Sequence, residues 1–437
     1  MKIIFLSIEF SIGTFSGNGI YAISQVRALR QLGHQVLVIS GRPESSTSTA
    51  SPTDDADLIS IPLPIWNRLD LECSWKEYAL GCGTPSIVTA VQNFDADVVL
   101  GVDWHSYAAY QNLIEALEAN QKISNSTSIS FQTRIPPYAC SNYRVYLRSL
   151  PEDNKQEEIM RKLEGESLLR GICSFVLSAS DKNFVEKNYF SNLPSAPLLA
   201  PPLHVVLPAL RADLAAIPLP QTTQEERKYL LCCVRASPEK EPHRFVDLIC
   251  ELQKRDFFDK NGIVPLLVGS GWKVENKSLG LYQEPAAAAA TAALSPLDQY
   301  VLKLRQRVET HVPCCHFIET FLGPMEMAQI YSQTALNIHP PAYDAYGMTI
   351  IEGASQKTPS LVAFEGHVGA TDLLNPEKEE IFVTNMEDSV QNLANVVEKL
   401  FENRKKLKQV GETAAVVARK WNEEANAAAV TQILTDS

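Results

Sequence analysis

The stretch Tyr343-Asp344-Ala345-Tyr346-Gly347-Met348-Thr349-Ile350-Ile351-Glu352-Gly353 follows an apolar run, Ala335-Leu336-Asn337-Ile338-His339, that ends at Pro340-Pro341. The run reads as a buried parallel strand, and the stretch after it as a loop leading into a helix. In open α/β sheets, such strand–loop–helix edges are where ligands bind. Asp344 falls in the loop and Glu352 eight residues later, about one turn into the helix, so two carboxylates face one crevice. Gly347 between them lets the backbone approach a bound molecule closely. A carboxylate in a first helical turn also partners the helix dipole without any ligand, so the rest of the chain has to choose between the two readings.

At 437 residues the chain exceeds one ordinary core and suits two domains. Its 45 % hydrophobic and 21 % charged residues place it among globular chains, neither disordered nor membrane-embedded. The formal charge of −12 argues against a general nucleic-acid binder, which needs a basic face. Met1-Lys2 leads straight into Ile3 to Ile8, which lacks a signal cleavage pattern, and no segment has about 18 uninterrupted apolar residues. The nine cysteines are odd in number and show no CxxC pair, so neither a metal site nor a disulfide framework is expected. A reducing, cytoplasmic compartment fits this usage.

Upstream of the opening stretch, short apolar runs alternate with amphipathic ones. Lys2 to Ile8, Gln35 to Ser40, Val98 to Val102, Ser128 to Gln132 and Ser174 to Ser178 read as strands with helical patterns between several of them, which predicts a Rossmann-like parallel sheet. The loop Gly13-Thr-Phe-Ser-Gly17-Asn18-Gly19 precedes an amphipathic helix, Ile20 to Leu32. Its glycines free N–H groups and a helix N-terminus to face an anion such as phosphate, or they serve only the turn. The spacing is not G-x-G-x-x-G and no acidic residue closes the second strand, which disfavours a dinucleotide-binding dehydrogenase. Asp103-Trp104-His105 sets a carboxylate, an indole and an imidazole at a strand's carboxyl edge, either as a packing pair or as a hydrogen-bonding and stacking platform for a sugar ring. Thr133-Arg134 through Tyr138, with Tyr143-Arg144 and Arg148, make a basic, aromatic loop that is either solvated or in contact with an anionic acceptor or a membrane surface. Proline density rises from Pro194 to Pro220, and the domain boundary is placed at its end.

The second half opens with Tyr229 to Val234 and turns at Arg235-Ala-Ser-Pro-Glu-Lys240. Two cations five residues apart before a helix can clamp a diphosphate, Arg as a planar fork and Lys as a point charge. Val264 to Val268, Ser360 to Phe364 and Ile381 to Thr384 continue the strand pattern, His316-Phe-Ile precedes a helical stretch, and the alanine-rich stretch inside about 272–296 reads as an insertion without chemistry.

Together these segments resemble the retaining glycosyltransferases of family four over nearly the whole chain. The family's paired acidic motif, two glutamates around Gly-Phe/Leu-Gly and a helix, is similar to Asp344, Gly347 and Glu352. Its Gly-Arg-Leu…Lys-Gly turn is similar to Val234-Arg235-Ala236…Lys240-Glu241. The first glycine loop, Asp103-Trp-His105, Glu164 to Ser180 and Val206 to Asp213 follow in the family's order. The resemblance implies the GT-B fold, an α/β architecture of two Rossmann-like parallel-sheet domains facing across a cleft. They would be an acceptor-side domain over 1–220 and a nucleotide-sugar domain over 221–415, with a closing helix over 416–437 crossing back. It implies hinge closure over the donor as well.

By the same resemblance Arg235 and Lys240 hold the diphosphate, Glu352 accepts from the ribose hydroxyls and Asp344 lies near the donor sugar. N–H groups of Gly347, Met348 and Thr349, and of Gly17, Asn18 and Gly19, face sugar or phosphate oxygens. His105 contacts a sugar hydroxyl near the anomeric carbon, and Asp103, Trp104 and Arg134 are candidate acceptor contacts. The implied reaction moves a hexose from a nucleoside diphosphate sugar to a sugar, polyol or lipid-linked hydroxyl acceptor, with retention, no metal and no cofactor beyond the donor. No nucleic acid or integral membrane segment is implied, and peripheral membrane contact stays open.

The departures are specific. Asp344 is one methylene shorter than glutamate, and Val234 and Glu241 replace the glycines of the cation turn. Glu241 sets a negative charge beside Lys240, and Thr358 stands where the family's glycine makes a turn easily. They keep open a degenerate GT-B protein that binds a nucleotide-sugar or partner without catalysis, and a sugar-nucleotide epimerase is a further alternative.

Overall fold

The structure is a computed structural model that describes residues 1–45, 57–125, 134–150, 156–191, 200–273, 295–320, 322–364 and 366–437. Two sheets, each parallel throughout, organise the chain. The first contains β1 (Lys2–Ser7), β2 (Gln35–Pro43), β3 (Leu58–Leu63), β4 (Val98–Val102), β5 (Tyr138–Asn142), β6 (Ser174–Val176) and β7 (Leu203–Val205), in the order β3-β2-β1-β4-β5-β6-β7. The second contains β8 (Tyr229–Cys233), β9 (Val264–Val268), β10 (His316–Ile318), β11 (Thr334–Ile338), β12 (Ser360–Ala363) and β13 (Phe382–Thr384), in the order β10-β9-β8-β11-β12-β13. In both, the strand order reverses beside the first strand, so a topological switch point lies between β1 and β4 and another between β8 and β11.

The apolar runs are continuous because both faces of each sheet are covered. Ile3 to Leu6, Val98 to Val102 and Leu230 to Cys233 are buried at every position, which a half-solvated strand would not permit. Three strands of the first sheet were not legible. Leu58–Leu63 contains Pro62, which argues against a strand and is tolerated because β3 is a sheet edge. Tyr138–Asn142 is short and polar, and β7 has only three residues. The strand expected at Ser128 to Gln132 lies outside the described residues, as does most of the alanine-rich insertion.

The chain divides into two compact units, Met1–Ala209 with Glu423–Ser437, and Leu210–Asn422. The first crossing falls some ten residues before the proline-rich boundary expected from sequence. Its cause is Arg419, which donates to Ala215 O at 3.1 Å and Ile217 O at 2.6 Å and holds that segment in the second unit. In the first unit the helix Glu423–Asp436 packs on the helix Gly17–Gln31, with an Arg27–Glu423 ion pair and Asn426 Nδ2 donating to Tyr21 Oη at 3.0 Å and Leu207 O at 2.8 Å. Among the described residues no helix is long and apolar enough to cross a membrane.

Candidate functional site

At the carboxyl edge of the second sheet, β8 delivers Arg235 and Lys240, and β11 delivers His339 and Asp344. Lys240 Nζ donates to Asp344 Oδ2 at 2.6 Å, and His339 Nε2 lies 3.0 Å from the same oxygen. Burial by itself would raise the Asp344 carboxyl, but Lys240 and His339 outweigh it and hold the group well below the usual carboxylate range. Its backbone is fixed as well, with Asp344 N donating to His367 O and Gly369 N to Asp344 O, both at 3.1 Å. Gly347 then takes φ +88°, and a Cβ there would stand 2.6 Å from Ile350 Cδ1, so only glycine can cap the helix Met348–Ala354 at this point. The first-turn N–H groups of Met348 and Thr349 have no acceptor within the helix.

Glu352 is one helical turn further on and 9 % exposed. Tyr331 Oη lies 3.4 Å from its Oε2 and Arg211 Nη1 3.6 Å from its Oε1. Arg211 also forks onto Asp213 at 3.1 and 2.7 Å. Burial raises the Glu352 carboxyl from 4.5 to about 6, with Arg211 opposing it. As pH rises from 4.5 to about 6, the unfolded chain ionises first, so this group costs the fold about 2 kcal/mol across that window. Glu352→Gln removes the loss. Urea melts at pH 4.5 and 6.5 are expected to show a smaller fall for the variant than for the wild type.

Two departures, Glu241 in the cation turn and Thr358 after Glu352, resolve differently from expectation. Glu241 takes φ +45°, a left-handed conformation that costs a non-glycine residue roughly 1–2 kcal/mol. Its carboxylate accepts from Ala342 N at 2.6 Å and Arg244 Nη2 at 2.8 Å, so its charge is committed to them. Arg235 forks between Glu239 at 2.6 Å and Ser237 Oγ at 3.3 Å. The left-handed residue after Glu352 is Lys357, φ +60°, and Thr358 instead donates its hydroxyl to Tyr331 O at 2.6 Å.

In the first unit, the glycine loop differs from expectation. Ser16 caps the helix Gly17–Gln31, but Glu9 fills the position an anion would take. Its Oε1 accepts from Phe15 N and Ser16 N, both at 2.6 Å, and its Oε2 from Ser16 Oγ at 2.5 Å. A Cβ on Gly19 would approach Glu9 Oε1 to 2.7 Å, so that glycine makes room for a buried carboxylate of the chain itself. Of the residues expected to face a phosphate, Gly19 shares its N–H with Glu9 and Asn18 N donates to Ser16 Oγ at 3.1 Å.

Asp103 is fully buried with φ +56° and is consumed by four donors: Tyr143 N at 2.7 Å, Asn18 Nδ2 at 3.0 Å, Tyr146 Oη at 3.2 Å and Arg144 N at 3.4 Å. Burial raises it to about 7. Glu164, likewise raised by burial to about 7, accepts from Tyr146 N at 2.6 Å and Tyr189 Oη at 2.5 Å. These two carboxylates clamp the Tyr143–Leu147 segment, which is thus an ordered, buried turn. Trp104 is 1 % exposed and enclosed edge-on by Trp75 and Tyr146, so its ring is core and offers no stacking face. Arg134 lies before β5, at the opposite sheet edge from the site. His105 is different: it is 1 % exposed and, among the described residues, neither ring nitrogen has a hydrogen-bond partner. Burial lowers it to about 3, so the ring is neutral and carries one N–H without an acceptor.

No family model and no curated protein sequence matches the chain. Solved structures do match it in shape. Sucrose-phosphate synthase from Thermosynechococcus elongatus aligns over 100 % of this chain and 98 % of its own, with TM-score 0.68 and 15 % identity. The Burkholderia xenovorans α,α-trehalose-phosphate synthase (UDP-forming), in complex with glucose-6-phosphate, aligns over 100 % of both chains with TM-score 0.66 and 12 % identity. Anabaena HepE, in complex with UDP and glucose, aligns over 100 % of both with TM-score 0.65 and 15 % identity. The chain has the GT-B fold. Within that fold, sequence reasoning missed His339, Arg211, Tyr331 and Glu9, which meet their partners only through the tertiary structure. His339 alone had a signal, as the polar residue ending the apolar run before Asp344.

Proposed function

We propose that this protein is a retaining, metal-independent glycosyltransferase that moves a hexose from a nucleoside diphosphate sugar to a sugar, polyol or lipid-linked hydroxyl. The reading rests on the carboxyl edge beside the β8/β11 switch point, which carries Arg235 and Lys240 after β8 and Asp344 and Glu352 after β11, with Lys240 and Asp344 in direct contact. The Anabaena neighbour of the same fold was solved with UDP and glucose, and the Burkholderia one with glucose-6-phosphate.

In this reading the diphosphate lies against Lys240 and Arg235. Lysine has three N–H donors, so Nζ keeps Asp344 and still offers two to phosphate oxygens. Ionised Glu352 accepts from the ribose hydroxyls. His105, neutral and without a hydrogen-bond partner among the described residues, donates its N–H to a sugar hydroxyl, which meets the cost of a buried polar group left alone. The bond from the anomeric carbon to the phosphate oxygen breaks, and the bond to the acceptor oxygen forms on the same face. The acceptor proton passes to the departing phosphate oxygen. Fixed cations stabilise the charge that develops there, so neither a protein nucleophile nor a metal is required.

A binding protein without turnover is the second reading, favoured by the carboxylates that already occupy both cations. Calorimetric titration of UDP, GDP and ADP into the wild type and Lys240→Ala tests the site, followed by release of diphosphate from the sugar nucleotide of the base that binds. Micromolar binding of one nucleotide, lost in the variant, is expected, with turnover in the wild type. Binding without turnover over a panel of acceptors favours the second reading, and binding of none of the three overturns the first and leaves the second as a protein that binds a partner.

A further inference from the structure

Beside the glycine loop of the first sheet stands an aromatic pair that the reaction above does not use. Phe15 and Trp66 meet edge to face with ring centroids 5.5 Å apart at 77°, and both are half-buried. Trp66 follows β3 directly and Phe15 follows β1, so both rise from the carboxyl edge where parallel sheets bind ligands.

The indole is held by several features. Trp66 Nε1 donates to Gly13 O at 2.8 Å. A Cβ on Gly13, whose φ is +70°, would lie 3.0 Å from that nitrogen, and one on Gly41 would lie 3.2 Å from Trp66 Cζ3. Two missing side chains and one hydrogen bond thus make a seat for a ring that keeps part of its surface open. Around it Ile65 is 47 % exposed, and Pro62, Pro64 and Ser11 are exposed.

The same loop is closed to anions. Glu9 already accepts from the N–H groups of Phe15 and Ser16. Arg68, the cation two residues past Trp66, is bound by Asp70 at 2.7 Å and by Glu72. A phosphate brought here would meet a carboxylate in the position of its own counter-charge. A neutral pyranose meets a ring face for its C–H surface and hydroxyl and carbonyl groups at the rim.

We infer that the Gly13–Ser16 loop and Trp66 form an acceptor subsite for a neutral sugar ring, stacked on the Phe15–Trp66 pair. This rests on the glycosyltransferase reading and narrows it to unphosphorylated sugar or glycoside acceptors. The test is saturation-transfer NMR without nucleotide. Methyl α-D-glucopyranoside, methyl α-D-mannopyranoside and glucose 6-phosphate are titrated into the wild type, Trp66→Ala, Trp66→Phe and Phe15→Ser, with each variant's fold checked by a cooperative thermal melt.

Transfer to ring protons of at least one glycoside is expected in the wild type. It should fall about fivefold or more in Trp66→Ala and be retained in Trp66→Phe. If Trp66→Ala does not fold, a similar fall in Phe15→Ser carries the result. The subsite is overturned if neither glycoside receives saturation from the wild type, if the folded truncations leave transfer unchanged, or if only glucose 6-phosphate binds. Failure here with intact UDP binding removes the subsite alone, whereas loss of nucleotide binding removes the glycosyltransferase reading.

Discussion

Lys240→Ala is expected to lose about 2–4 kcal/mol of folding stability at neutral pH, besides its nucleotide affinity, because it leaves Asp344 charged and buried beside one remaining partner. Lys240 is 31 % exposed, which keeps the loss below that of breaking a fully buried pair. The sign with pH follows from the depressed Asp344 carboxyl. Its stabilisation is present above the unfolded value of 3.8 and is lost as pH falls through the folded value. The difference between wild type and variant should therefore be greatest above pH 4 and shrink in acid. Lys240→Ala/Asp344→Asn removes the stranded charge and should be more stable than Lys240→Ala alone. Urea melts of the four proteins in this cycle decide it. A single variant within about 0.5 kcal/mol of wild type, the ordinary range of surface changes, would show that the ion pair carries no weight in solution.

His105→Ala should lower kcat by about 10²–10³-fold, the usual effect of removing one donor aimed at the reacting region, while the UDP dissociation constant stays within about twofold. The imidazole belongs to the first domain and the cations to the second, so the two parameters separate. A merely structural histidine would show another pattern. Its ring nitrogens have no partner to lose, so truncation would cost only packing, and kcat would be unaffected once the protein is folded. Because burial keeps the ring neutral down to about pH 3, the His105-dependent part of the rate should not titrate between pH 5 and 8. A kcat unchanged in folded His105→Ala would remove this residue from the mechanism.

The two parallel sheets and the carboxyl-edge positions of Arg235, Lys240, Asp344 and Glu352 were legible in the sequence. Buried parallel strands need unbroken apolar runs, and such runs with turn residues after them locate the ligand-binding edge. Edge strands hid, since β3 tolerates a proline and β5 is polar. Side-chain partnerships hid too. Glu9 follows the first apolar run, yet its carboxylate accepts from the N–H groups of Phe15 and Ser16 just before the helix Gly17–Gln31. Asp103 and Trp104 occupy the expected edge, but one is spent on Tyr143, Tyr146 and Asn18 and the other on the core. Periodicity and spacing decide which elements form and which edge carries chemistry, because burial acts along the chain. Which charge meets which depends on residues far apart in sequence, such as Lys240 with Asp344, and only the tertiary structure determines that.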